Sequence, residues 1–87
     1  MSGDDNGRIR ELVAQAVGRR FDEWAAEHPS LAAVIDRVTL TDRAAESLRA
    51  TDGYRKAVAG YYRARSEQEL LADLTGLAGD VLTTILR

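Results

Sequence analysis

Cysteine is absent from this sequence, so no disulfide and no thiolate-held metal can reinforce the fold. Histidine occurs once, as His28, and proline once, as Pro29. Nucleophilic catalysis needs a base within reach of its nucleophile. The serines are Ser2, Ser30, Ser47 and Ser66, and a single imidazole is shared among them. His28 sits beside Pro29 at an expected helix end, where capping the last carbonyls of that helix accounts for it. Carboxylates can also serve as acid and base, but all 14 fall on solvated helix faces or at caps. No glycine-rich phosphate loop is present. The stretch DDNG, Asp4–Gly7, echoes a calcium loop. Placing Gly7 at that loop's invariant glycine puts Ser2 and Val13 where acidic ligands belong, so the match fails. No enzymatic activity, cofactor, metal or small-molecule substrate is expected.

Also missing is any run of 18 apolar residues, so no membrane-spanning segment is expected. The start, MSGDDNG, lacks the basic-then-apolar layout of a signal peptide, which points to a soluble cytoplasmic protein. Lysine is nearly absent: of 12 basic residues only Lys56 is not arginine, as a GC-rich genome would encode. Against 14 acids this leaves a net charge of −2, whereas free-standing nucleic-acid binders carry a basic excess.

Turning to what is present, 87 residues make one domain with a modest core, burying only roughly 60% of the unfolded surface. Residues 1–6 read as a polar tail and 7–87 as a single helical domain. The first helix is expected from near Gly7, capped by Asp4, Asp5 or Asn6, and ends at the residues before Pro29. Its apolar side holds Ile9, Leu12, Val13, Ala16, Val17, Phe21, Trp24 and Ala25 at helical spacing. Arg19 is spaced to pair with Asp22 or Glu23. A short helix is expected over Ser30–Val38, with Leu31, Val34, Ile35 and Val38 inward. A restart at Thr39, in capping-box spacing with Asp42, opens a third helix to Ala50 that buries Leu40, Ala44, Ala45 and Leu48. The turn signal Thr51–Gly53 precedes a fourth helix over Tyr54–Arg65. Ser66 and Glu69 form a capping box for a fifth helix over Glu67–Leu86. Every segment reads helical. The fold class is all-α: a compact bundle of four to five helices with a short second helix and long amphipathic first and last helices.

Two surfaces stand out. The fourth helix holds all three tyrosines and Arg55, Lys56, Arg63 and Arg65. At 100° per residue Tyr54, Ala57, Val58 and Tyr61 face inward, while Arg55, Lys56 and Arg63 face outward with Tyr62 at the edge. This is either a solvated basic face paired with acids such as Glu67 and Glu69, or a phosphate-binding surface. In the latter reading Arg55, Lys56, Tyr62 and Arg63 meet nucleic acid, with Arg19 and Arg20 adding to the patch. A helix-turn-helix is weakened by Arg49, which stands where a small residue is usual.

The fifth helix is apolar over about half its circumference, well beyond the stripe of about 100° a surface helix needs. Its other side is small: Ala72, Gly76, Gly79 and Thr83. Two helical glycines cost roughly 2 kcal/mol relative to alanine, which favours another helix packing closely there. Asp73 and Asp80 argue against a membrane surface. The expectation is a small protein–protein interaction or assembly module, a homo-oligomer or an accessory subunit of a larger complex, a virion among them. Its contact would use Leu71, Gly76, Gly79, Leu82, Thr83 and Leu86, with the Trp24 end of helix one as a second surface.

Overall fold

The longest element, α1, runs Ser2–Glu27 and sets the long axis of the molecule. Its 26 residues at about 1.5 Å each span about 39 Å, close to the 42 Å long dimension. The computed structural model of the chain describes residues 2–64 and 66–86, with side chains for 7–63 and 66–86. After α1 come α2 (Pro29–Ala32), α3 (Arg37–Arg49), α4 (Asp52–Ala64) and α5 (Glu67–Ile85). No strand occurs among the described residues, and the all-α bundle stands as expected.

α1 starts earlier than the sequence indicates. The backbone of residues 2–6 is already helical, so the expected start near Gly7 and the separate tail give way to one continuous helix. Nothing in SGDDNG forbids helix, and acids near an N-terminus suit the helix dipole. α1 ends where Pro29 requires, and Pro29 itself occupies the first turn of α2.

The connection after α1 departs most from expectation. α2 is only four residues long and buries nothing. Of the four aliphatic residues assigned inward there, only Ile35 packs against the core, while Leu31, Val34 and Val38 are 55%, 81% and 67% exposed. The cap of α3 is Asp36, not Thr39. The Asp36 carboxylate accepts the Val38 N–H at 3.2 Å and the Thr39 hydroxyl at 2.7 Å. Thr39 therefore lies inside the helix that Asp36 opens.

The later boundaries follow local chemistry. Thr51 ends α3 and opens α4: its hydroxyl donates to the Leu48 carbonyl at 2.7 Å and accepts the Tyr54 N–H at 3.1 Å. Asp52 and Gly53 thus belong to α4 rather than to a turn. Gly53 sits close against α5: a Cβ there would stand 2.6 Å from Cδ2 of Leu77, whose side chain would have to shift. Ser66 caps α5, its Oγ accepting the Glu69 N–H at 3.3 Å. Arg65 lies outside the described residues.

α5 is the centre of the bundle. It packs against α1, α3 and α4, and α1 also covers α3. Leu70, Leu74, Ala78 and Leu82 of α5 are buried among Ile9, Leu12, Val13, Ala16, Val17 and Phe21 of α1 and Leu40, Ala44 and Leu48 of α3. Leu71, Leu77, Val81, Ile85 and Leu86 pack against this core at its edges. Three neighbouring helices require an apolar arc wider than a surface stripe, and that accounts for the half-circumference of α5.

Candidate interaction surfaces

No described charged side chain is buried. The acid–base shifts at Arg8, Glu67 and Asp36 therefore come from hydrogen bonding at the surface. Arg8 on α1 grips Glu67 in the first turn of α5 with two bonds, Nε to Oε2 at 2.7 Å and Nη2 to Oε1 at 2.9 Å. Its Nη1 also donates to Glu11 at 2.9 Å. These bonds raise the Arg8 pKa, chiefly through Glu67, and the bond from Arg8 lowers that of Glu67. The Thr39 hydroxyl bond is the main cause lowering Asp36.

Glu67 is therefore committed to Arg8 rather than to the basic face of α4. The other expected pairing is also replaced. Arg20, not Arg19, pairs with Glu23 at 2.8 Å, while Asp22 receives Arg37 from α3 at 3.0 Å. Arg37 also lies over the Phe21 ring at 5.7 Å. His28 sits as the sequence indicates at the end of α1: its Nδ1 is 3.2 Å from the Trp24 carbonyl, and its ring stacks on Trp24 at 5.2 Å.

The residues expected to form a contact on α5 do not share one surface. Leu82 is buried in the core, and Leu71 and Leu86 are partly buried against it. Gly79 is buried, and a Cβ there would lie 2.5 Å from Nη2 of Arg20. The close neighbour that a helical glycine implied is thus α1 of the same chain. Gly76 and Thr83 are exposed, and a Cβ on Gly76 would meet nothing within 4 Å. The Thr83 hydroxyl is turned back to the Gly79 carbonyl at 2.8 Å. Trp24 lines an open cleft between α1 and α5 together with Arg20, Glu23 and Thr83.

On α4 the projection holds. Ala57 and Tyr61 are buried, and Tyr54 and Val58 pack against the core. Arg55, Lys56, Tyr62 and Arg63 are exposed, with the Tyr62 ring tilted against Tyr61 at 5.8 Å. Arg55, Lys56 and Arg63 form no ion pair among the described residues. Arg20 is engaged over Gly79 on the α5 side of α1 and does not extend this patch.

The surface that sequence reasoning missed is the α2–α3 connection. Its i, i+3, i+4, i+7 apolar spacing reads as a buried stripe, yet the short α2 and the Asp36 cap turn three of the four side chains outward. The helix-stopping power of Asp36 within that run was the available signal.

Among the described residues no group of three histidine, cysteine, aspartate or glutamate side chains is placed to hold a metal ion, and no helix is long and apolar enough to cross a membrane. No protein-family model matches this chain, and no curated protein or solved structure matches it.

Proposed function

We propose that this chain is a small protein–protein interaction module, a building block or accessory subunit of a larger assembly. One observation carries the reading: Leu31, Val34 and Val38, within eight residues of one connection, stand 55%, 81% and 67% in solvent. Single exposed aliphatic residues are ordinary on a protein surface. Three at one corner, in a domain whose core takes in nearly every other large aliphatic side chain, form a surface suited to a partner. The apolar arc of α5 is largely covered by its own neighbours, which supports a contact at the corner after α1 rather than on the last helix.

Photo-crosslinking in the source cell tests this. A photoreactive amino acid at position 34 is expected to give a discrete protein adduct. That adduct should vanish when Leu31 and Val38 are replaced by serine, with helicity and Tm retained. Absence of any adduct, or one indifferent to the two replacements, rejects this surface.

A further inference from the structure

Charge is segregated between the last two helices. α4 carries Arg55, Lys56 and Arg63 against the single acid Asp52. α5 carries Glu67, Glu69, Asp73 and Asp80 and no basic residue. With Glu67 held by Arg8, three exposed cations on α4 and three exposed anions on α5 remain, and none of the six forms an ion pair among the described residues.

Their spacing matches. Lys56 and Arg63 are seven residues apart on α4, and Asp73 and Asp80 are seven apart on α5. Seven residues advance two helical turns, so each pair lies on one stripe with its members about 10.5 Å apart. Between the helices runs an open groove of about 520 Å³ with Lys56 on one wall and Asp73 and Asp80 on the other. Ala72 and Gly76 also line it, and the space beside Gly76 is empty. The absence of a side chain there lets a second backbone approach closely.

We propose that this face binds a second copy of the chain, in a two-fold dimer that sets α4 of each copy along α5 of the other. A two-fold axis requires a self-complementary surface, in which residue i meets j and j meets i. A basic stripe beside an acidic stripe of the same spacing meets that requirement. Lys56 and Arg63 then face Asp73 and Asp80 of the second copy at two points per helix pair, and Gly76 lies at the closest approach. The proposal rests on the reading of the chain as an assembly module but uses a different surface from the α2–α3 corner, which stays open for another partner.

Light scattering after size exclusion, over a range of concentrations, tests it. The wild type is expected near twice 9.5 kDa, with dissociation favoured as salt rises and screening shortens. Lys56→Glu with Arg63→Glu, or Asp73→Lys with Asp80→Lys, should each weaken the dimer by about tenfold or more, because like charges then face each other. Combining all four exchanges should restore it. The neutral pair Lys56→Gln with Arg63→Gln gives a milder loss, and circular dichroism confirms helicity throughout.

A monomer at every concentration overturns the dimer and leaves the corner surface to its own crosslinking test. An assembly unchanged by either charge reversal but lost on replacing Leu31, Val34 and Val38 by serine also overturns it. Salt-sensitive binding of duplex DNA or RNA to a monomer, lost in Lys56→Glu with Arg63→Glu, overturns it in favour of a phosphate-bearing partner.

Discussion

The guanidinium of Arg8 and the carboxylate of Glu67 meet with both oxygens engaged, at 2.7 and 2.9 Å, across 59 residues of sequence. This pair ties the first half of α1 to the first turn of α5. Glu67 is thereby held ionised below its ordinary pKa of 4.5. A folded-state pKa below the unfolded value gives stability that is present above the unfolded pKa and lost as pH falls through the folded one. Glu67→Gln should therefore lower Tm at pH 7, and the gap from wild type should close below about pH 4.5. Both groups are substantially exposed, so the gap at pH 7 should also shrink at high salt. Thermal unfolding by circular dichroism at two pH values and two salt concentrations measures both effects.

The cap at Asp36 makes a separate pH prediction. Asp36→Ala removes the acceptor for both the Val38 N–H and the Thr39 hydroxyl, and should destabilise α3. Asp36→Asn keeps a capping oxygen and should retain most of the stability at neutral pH. Its pKa is lowered, so the advantage of aspartate is present above its ordinary value of 3.8 and fades as pH falls through that region. Urea titrations of the three proteins at pH 7 and pH 3 decide it.

Two glycines of α5 should respond differently to alanine. Within the single chain Gly76→Ala meets empty space, and at concentrations where the protein is monomeric it should raise stability by about 0.5–1 kcal/mol through helix propensity. Gly79→Ala gains the same propensity but must displace the Arg20 guanidinium, which also holds Glu23, so its net gain should be smaller. Equal gains from both would show that Arg20 yields freely. The comparison is read from the two denaturation midpoints at unchanged slope.

Leu74 is fully buried near the middle of α5, the helix that packs against α1, α3 and α4. Leu74→Ala should cost about 2–5 kcal/mol, a large part of what holds so small a domain together. Leu31→Ala, at an exposed position, should change stability by no more than about 0.5 kcal/mol. Chemical denaturation of both variants checks the contrast, and a large loss at Leu31 would mean that the corner packs more tightly than its exposure indicates.

Helical spacing was enough to find most of the core. Leu12, Val13, Val17, Leu48, Leu70 and Leu74 could be named from periodicity because long helices repeat it over many turns. Over 30–38 the same reasoning failed. A four-residue helix has too few turns to define a face, and Asp36 outcompeted the apolar pattern by satisfying the backbone amide of Val38. The breadth of the apolar arc on α5 does not by itself locate a contact, for a different reason. An apolar arc records how much surface must be covered, not which molecule covers it, and here α1, α3 and α4 do so. Likewise glycine at position 79 reported a close neighbour without saying that it was Arg20. Ion pairs between helices, such as Arg8 with Glu67, depend on how the helices are placed together and leave no mark in local spacing.

The central helix is the last of the five to leave the ribosome. Until α5 emerges, α1 and α3 can pack only on each other, and the apolar surface of α1, α3 and α4 that α5 covers stays open. The order of synthesis thus leaves completion of the shared core to the last helix.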